Sequence, residues 1–302
     1  MSSSDHTSTA IPYGVATLGI ATFSTMDVVM KGLSISIGAY NAMLWRMLAG
    51  IILGGVLFLV SGTRLPARST FRLHALRGTI AAFMATCFFW GLARVPLAEA
   101  IALSFIAPLI TLYLAAVLLG EKISRGAIFA TILGFVGVLV ILSARVAGDY
   151  QPEVLKGSVA ILVSAVLYAY NLVLQRKQAQ LASPIEIVFF QNLTAGAVLL
   201  LAAPWLAVVP AVSHAPAIVG STVLAIVSLL LLSWAYARAE AQVLVSVEYT
   251  AFVWAAIFGW YIFGEAVSLA TLVGTVLIVG GCVIAARQKP NSKPSHVEVV
   301  AL

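Results

Sequence analysis

Ten long apolar segments, separated by short polar connections, are the feature that most restricts how this chain can fold. The segments run over approximate residue ranges 11–31, 40–60, 75–93, 97–118, 126–144, 156–175, 185–204, 216–236, 243–263 and 269–287. A helix needs about 20 apolar residues to cross the hydrocarbon core of a bilayer. None of the segments alternates with a period of two, so a membrane β-barrel is not supported. The pattern therefore predicts an all-α polytopic membrane protein with ten transmembrane helices.

The composition excludes most soluble classes of protein. Of the 302 residues, 62% are hydrophobic and only 9% are charged, whereas a soluble domain carries about 25% charged residues because its surface faces water. The net charge of +6 is spread singly between apolar runs. Since no basic stripe is formed, no nucleic-acid partner is predicted. The expected partners are the lipid bilayer and a small-molecule substrate.

The positions of lysine and arginine predict the orientation. With the N-terminus in the cytoplasm, four basic residues fall in outside loops, namely Lys31, Arg94, Arg145 and Lys156. Twelve fall inside, namely Arg64, Arg68, Arg72, Arg77, Lys122, Arg125, Arg176, Lys177, Arg238, Arg287, Lys289 and Lys293. Because cytoplasmic loops are enriched in basic residues, both termini are predicted to be cytoplasmic. The arginines at 64–77 are interpreted as topology anchors, with lipid binding as the alternative.

An internal repeat divides the chain. The segment Trp90-Gly-Leu-Ala-Arg94 returns as Trp234-Ala-Tyr-Ala-Arg238, 144 positions later. The same offset takes Phe105 to Tyr249, Gly120-Glu121 to Gly264-Glu265 and Gly137 to Gly281, and, as a weaker match, Asp27 to Asn171 and Lys31 to Gln175. Tryptophan, arginine and Gly-Glu at one common offset indicate an internal duplication.

Because each half has an odd number of helices, namely five, the second half must have the opposite orientation in the membrane. Inverted repeats have two nearly equivalent packings, one open to each side, and bind substrate near the midplane between the repeats. This predicts a transporter that works by alternating access. The predicted organisation is a cytoplasmic tail at 1–10, a first repeat at 11–147, an outside linker at 148–155, a second repeat at 156–287 and a cytoplasmic tail at 288–302.

Two paired motifs resemble those of the EamA-type drug/metabolite transporters. In the first half the motif is Leu103-Ser-Phe-Ile-Ala-Pro108 followed by Gly120-Glu121, and in the second it is Glu248-Tyr-Thr-Ala-Phe-Val-Trp254 followed by Gly264-Glu265. One departure is that Pro108 has Phe252 as its counterpart, so only the first half has a helix softened by proline.

The resemblance covers essentially the whole chain. It implies ten helices, a central cavity between the halves and export of small metabolites or amino acids across the bacterial inner membrane. Length and aromatic content are similar to bacterial amino-acid exporters of the YddG type, which would make aromatic amino acids candidate substrates.

Charged residues within the spans are candidate substrate ligands, because burying a charge in a bilayer is costly. Asp27 is interpreted either as an i,i+4 partner of Lys31 or as a cavity carboxylate facing Arg46, which could itself snorkel outward. Glu99 could line the cavity or complement the dipole of its helix. Glu248 lies too deep to be a helix cap and could bind an ammonium group or carry a proton.

Polar and aromatic residues complete the predicted cavity. Tyr168, Asn171 and Gln175 share one helical face, which must meet protein or water rather than lipid. The tryptophans Trp90 and Trp234 are interpreted either as interfacial belt residues or as rings that close the two ends of the path. The predicted substrate-binding set is Asp27, Trp90, Glu99, Ser104, Phe105, Tyr168, Asn171, Trp234, Glu248 and Tyr249, with Pro108 supplying helix flexibility.

The glycines of the fifth and tenth spans point to close helix packing, with a homodimer contact as the alternative. They are Gly134, Gly137, Gly274, Gly280 and Gly281. Glu121 and Glu265 are interpreted as loop-packing residues.

Several chemistries have no counterpart in the sequence. No Walker A motif is present, so the chain does not predict an ATP-driven pump. The histidines, including His74, are assigned to tails or loops and lack metal-ligand spacing, so neither a metal nor a cofactor is predicted. The alternative functions are a lipophilic-cation drug exporter driven by protons and, from another class, a membrane enzyme or a scaffold.

Overall fold

The computed structural model describes residues 10–63, 65–119, 125–147, 152–179, 181–236 and 247–286. Its helices are α1 (Ala10–Ile37), α2 (Ala39–Val60), α3 (Arg68–Leu92), α4 (Leu97–Ser104), α5 (Ala107–Leu119), α6 (Arg125–Ala147), α7 (Pro152–Ala179), α8 (Pro184–Leu206), α9 (Ala215–Tyr236), α10 (Thr250–Phe263) and α11 (Leu269–Ala286). A short 3-10 helix, Val212–His214, precedes α9. All regular structure in these ranges is helical, which confirms the all-α prediction.

Six of the described helical segments are long and apolar enough to cross a membrane, and four shorter apolar segments complete the ten. The helices α4 and α5 together form one of these ten segments, interrupted after Ser104. The third span begins at Arg68, well before the predicted residue 75, so His74 lies inside α3 and not in a loop. The two membrane sides are named here by α1: the terminal side is where α1 begins, and the far side is where it ends.

The inverted relation between the halves is visible in how the helices pack. The most extensive contacts join α6 to α11, α1 to α9, α3 to α7 and α2 to α8. In the repeat, α1 corresponds to α7 and α9 corresponds to α3, so the pair α1–α9 is equivalent to the pair α7–α3. Each of the other two pairs joins a helix to its own repeat equivalent. The ten-helix fold with two inverted five-helix repeats is therefore confirmed.

Glycines bring α6 and α11 into backbone contact within the chain. A Cβ atom at Gly137 would lie 2.6 Å from the Gly274 carbonyl oxygen, and one at Gly281 would lie 2.6 Å from the Ala130 carbonyl oxygen. Close approach at small residues is how membrane helices gain packing energy without a hydrophobic driving force. These glycines consequently join the two halves of one chain. The predicted homodimer contact remains a prediction.

Candidate functional site

Two broken helices meet between the halves. The helix α4 ends at Ser104 and α5 begins at Ala107. Pro108 has no N–H group to donate to the Ser104 carbonyl, which removes one helical hydrogen bond at this point. The Ser104 hydroxyl donates back to the Ala100 carbonyl oxygen at 2.9 Å. Proline therefore explains the interruption of the first half.

The second half is interrupted at the equivalent residue without a proline. Tyr249 lies in a turn between helical residues at 247–248 and α10, although Phe252 stands where the first half has Pro108. The rings of Phe105 and Tyr249 pack edge to face, with centroids 5.4 Å apart and an interplanar angle of 88°. The two repeat-related aromatic residues thus contact each other, and discontinuous helices of this kind build the substrate sites of inverted-repeat transporters.

Asp27 and Arg46 are ionisable side chains enclosed by neighbouring helices. Asp27, on α1, is 3% exposed, and its Oδ1 atom is buried without a hydrogen-bond partner. Arg46, on α2, has a buried Nε atom that also lacks a partner, and its guanidinium lies 5.9 Å from the ring centroid of Phe89. The two charges interact electrostatically but do not approach within 4 Å as an ion pair. Arg46 therefore points into the protein, and the alternative that it snorkels outward is wrong.

Lys31 does not pair with Asp27 along α1, so that interpretation of Asp27 is also wrong. The Lys31 ammonium instead forms an ion pair with Glu265 and donates to the Val95 carbonyl oxygen at 2.7 Å. The second carboxylate oxygen of Glu265 accepts from the Leu97 backbone N–H at 2.7 Å, at the start of α4. We call Lys31, Val95, Leu97 and Glu265 the far-side cluster.

The Gly-Glu motif explains how Glu265 reaches this position. Gly264 has a φ of 66°, a left-handed conformation that glycine adopts without steric strain and that ends helices. The turn aims Glu265 back at α1 and α4. A crevice of about 270 Å³ borders the far-side cluster, lined by Lys31, Ile35, Ala93, Arg94, Val95, Pro96, Val154 and Glu265.

A second group of polar residues joins the halves near the terminal side. Arg77 Nε donates to Asn171 Oδ1 at 3.1 Å, and the same guanidinium also donates to Gln178. Gln178 bonds to one ring nitrogen of His74, and the other ring nitrogen contacts Glu186 Oε1 at 3.0 Å. We call His74, Arg77, Asn171, Gln178 and Glu186 the terminal-side cluster.

Tyr168 lies between the terminal-side cluster and Asp27. It lies on α7, is 40% exposed, and stands within electrostatic range of Glu248, Arg77 and Asp27, which lie on other segments of the chain. Glu248 is exposed. Asn171 and Gln175, predicted to share the face of Tyr168, both accept hydrogen bonds from Arg77. The structure thus brings together residues from three separated segments of the chain, namely Asp27, the α7 pair Tyr168 and Asn171, and Glu248.

Three further predicted residues, Trp90, Glu99 and Trp234, lie on α3, α4 and α9. Trp90 is covered by Arg94, whose guanidinium stands 3.6 Å from the ring centroid and bonds to Glu153 at 3.1 Å. Glu99 is buried in the first turn of α4, and Trp234 is 37% exposed near the end of α9. The predicted loop residue Glu121, the repeat counterpart Arg238 and the terminal tails lie outside the described residues.

Sequence reasoning missed the role of three residues. The pattern of basic residues predicts Arg77 in a cytoplasmic loop, but Arg77 lies within α3 and is 5% exposed. His74 is fully buried and stacked on Phe190, with ring centroids 4.9 Å apart. Glu186 was assigned no role. The polar face of Asn171 and Gln175 could have indicated Arg77, because a buried amide oxygen such as that of Asn171 requires a donor.

Known proteins resemble this chain along most of its length. It is 28% identical to the pseudopaline exporter of Pseudomonas aeruginosa over 279 residues, covering 91% of this chain and 95% of the relative. It is also 28% identical to the S-adenosylmethionine uptake transporter of Rickettsia bellii, covering 89% and 91%. A solved crystal structure superposes with a TM-score of 0.60 at 20% identity, covering 91% of this chain and 96% of that one, which shows the shared fold.

The family comparison matches each half of the chain separately. The model of the EamA-like transporter family aligns with residues 11–143 and again with residues 155–287. The relatives are transporters rather than enzymes, in agreement with the predicted class. The chain is a multi-pass membrane protein that belongs to the EamA-like transporter family.

Proposed function

We propose that the protein exports amino acids or similar small metabolites across the bacterial inner membrane by alternating access, with both termini in the cytoplasm. The observation that carries the proposal is the contact of Phe105 with Tyr249 at the breaks of two repeat-related helices. A substrate held between two inverted halves reaches one side or the other when the halves rock about that contact.

The far-side cluster supports a state closed on the far side. Lys31 of the first half and Glu265 of the second are joined by an ion pair whose lysine is 3% exposed. In the proposed orientation this end faces the outside. Substrate that has entered from the cytoplasm therefore cannot leave on the outside until the halves rock and the contact opens.

The names of the relatives support a small organic substrate. One relative is an exporter of pseudopaline and another takes up S-adenosylmethionine. We assign export to this chain because of its match to the exporter. Transport driven by a substrate or ion gradient follows from the sequence, which has no nucleotide-binding motif.

Flux into proteoliposomes tests the proposal. Purified protein is reconstituted and tested with a panel of radiolabelled amino acids, with and without a pH gradient. Saturable flux that is lost in Ser104→Trp and in Tyr249→Arg, which obstruct the meeting point of the broken helices, is the expected result. Phe135→Trp, at a residue 58% exposed on α6, is the matched control and keeps the flux.

Other outcomes separate the alternatives. Flux of a lipophilic cation such as tetraphenylphosphonium, without flux of any amino acid, would replace the amino-acid assignment by drug export. Flux that survives both obstructing substitutions would remove the Phe105–Tyr249 contact from the pathway.

A further inference from the structure

The two halves fill one pair of equivalent positions differently. The offset of 144 that relates Asp27 to Asn171 also relates Arg77 to Ser221. Asn171 accepts a hydrogen bond from Arg77 Nε at 3.1 Å. Among the described residues, the Ser221 hydroxyl donates within its own helix, to the Ile218 carbonyl oxygen at 2.9 Å. The first half therefore has a carboxylate where the second has an amide. Opposite that carboxylate α9 has Ser221, whereas opposite the amide α3 has the cation Arg77.

Asp27 and Ser221 lie at the same level of two antiparallel helices. Ser228 Oγ, on α9, donates to the Gly19 carbonyl oxygen of α1 at 2.9 Å. At 3.6 residues per turn, about two turns separate this contact from Asp27 along α1 and from Ser221 along α9. The small serine consequently gives the α9 position opposite the carboxylate no positive side chain.

The repeat-equivalent helix pair, α3 with α7, has the same register. Ser164 Oγ, on α7, donates to the Met84 carbonyl oxygen of α3 at 2.8 Å. About two turns again separate this contact from Asn171 and from Arg77. The Arg77–Asn171 hydrogen bond thus shows where a cation sits when this position of the fold is filled.

Arg46 supplies a second unsatisfied charge at the level of Ser221. Its backbone carbonyl accepts from Thr222 Oγ1 of α9 at 3.3 Å. In the part of the chain that the structure describes, its Nε atom is buried without a hydrogen-bond partner, and its side chain makes a 3.8 Å contact with Met43 Sδ. The repeat equivalent of Arg46 is Phe190, so this charge, like the carboxylate, is special to the first half.

We propose that Asp27 and Arg46 bind the two charged ends of a zwitterionic substrate, with its ammonium group at Asp27 and its carboxylate at Arg46. The ammonium takes the position opposite Asp27 that the Arg77 guanidinium takes opposite Asn171. This inference rests on the proposed transport function and names its substrate class. The class consists of α-amino acids and their derivatives that retain both free charged groups.

The physical reason is that buried charges need partners. A buried charge keeps its desolvation penalty unless a partner with good geometry compensates it. Asp27 and Arg46 attract each other but do not approach within 4 Å, so neither gives the other a hydrogen bond. A zwitterion compensates both, whereas a lipophilic cation compensates the carboxylate alone and leaves Arg46 unpaired.

Deleting one charge of the ligand at a time tests the assignment. The reference probe is the amino acid carried fastest by proteoliposomes out of the twenty proteinogenic ones. Its methyl ester lacks the carboxylate, and its N-acetyl derivative lacks the ammonium group. As unlabelled competitors of wild-type flux, both are expected to be at least about tenfold weaker than the parent, because each loses a charge-assisted hydrogen bond.

Matched substitutions assign each charge to its residue. Asp27→Asn should weaken the parent amino acid at least about tenfold while leaving competition by the N-acetyl derivative unchanged. Arg46→Gln should do the same relative to the methyl ester. Glu153→Gln, which removes an exposed carboxylate at the far side, is the control and should change none of the three. If either site variant weakens all three competitors equally, the assignment is wrong.

Ser221→Arg tests the repeat argument itself. It places a guanidinium opposite Asp27, and we expect a folded protein, monitored by size-exclusion elution, that no longer carries the probe. A folded Ser221→Arg variant with wild-type flux would overturn the inference, and if it does not fold, the Asp27→Asn result decides. Wild-type flux inhibited equally by all three competitors would also overturn it while leaving the transporter intact. Absence of flux for every amino acid would overturn the proposed function instead.

Discussion

Two polar clusters join the halves of the molecule near opposite membrane sides, and they are built differently. The far-side cluster centres on an ion pair, between Lys31 at 3% exposure and Glu265 at 20% exposure, and borders a crevice of about 270 Å³. The terminal-side cluster centres on Arg77, which is 5% exposed and donates to the neutral amides Asn171 and Gln178. One cluster lies beside water-accessible space, and the other is enclosed by three helices.

The difference indicates which contact can open. When the crevice widens, water can solvate the separated charges of Lys31 and Glu265, which lowers the free energy needed to part them. The amide oxygens around Arg77 are enclosed by helices, so water would not take the place of the guanidinium if the cluster separated. An unpaired polar group in a dry interior is costly. We therefore expect the far-side cluster to separate during transport and the terminal-side cluster to hold α3 against α7.

Replacing Arg77 should have the largest effect on stability. Arg77→Met keeps much of the side-chain volume but leaves the Asn171 and Gln178 oxygens without their donor, which should lower the free energy of unfolding by about 3 kcal/mol. Thermal unfolding of the purified protein in detergent measures this as a fall in Tm. Arg72→Met, at an exposed arginine of the same helix, is the control. Equal changes in Tm for both variants would show that the cluster does not hold the helices.

Adding a side-chain atom between α3 and α7 should have the next largest effect on stability. A Cβ atom at Gly91 would lie 2.5 Å from the Gly157 carbonyl oxygen, so Gly91→Ala must push the helices apart and should destabilise the protein by about 2 kcal/mol. Gly32→Ala in α1 has nothing within 4 Å of the added atom. This matched control should be neutral or more stable by up to about 1 kcal/mol, because it reduces backbone entropy in the unfolded chain. Tm values that do not separate the two variants would contradict a rigid α3–α7 pair.

Breaking the far-side ion pair should have a smaller effect on stability, about 1–2 kcal/mol. It should also make the crevice clearly more accessible to reagents from the far side. Lys31→Met should increase labelling of Val95→Cys by a membrane-impermeant maleimide, because Val95 is 1% exposed and lines the crevice. The experiment uses a background in which Cys87 and Cys282 are replaced. Glu265→Gln should act in the same direction. Unchanged labelling in both variants would mean that this ion pair does not close the far side.

The smallest effect is expected at the exposed end of the same side. Glu153→Gln removes the partner of Arg94, but both side chains are solvated, and exposed ion pairs contribute little. Arg94 also retains its stacking on Trp90 and its 2.9 Å hydrogen bond to the Trp90 carbonyl oxygen. Tm and far-side labelling should both match the wild type. A clear fall in Tm would extend the far-side cluster to Glu153.

Much of the fold could be predicted because the bilayer imposes a strong local rule. In a helical membrane protein, every backbone polar group that faces lipid must be hydrogen-bonded within its own segment. A long apolar run therefore predicts a helix. The inverted arrangement followed from one offset shared by Trp90, Phe105 and Glu121 together with an odd number of spans. The break at Tyr249 could not be predicted from proline, since Phe252 occupies that position.

The sequence by itself determined the ten helices, the duplication and the residues Asp27, Tyr168, Asn171 and Glu248 as polar groups that had to face protein or water. Only the tertiary structure decided their partners. It paired Lys31 with Glu265 instead of Asp27, placed Arg77 on Asn171, and left Asp27 and Arg46 each without a hydrogen-bonded ion partner. The physical reason is that periodicity specifies which face of a helix is polar, whereas the contact across that face depends on the register of another helix distant in the sequence.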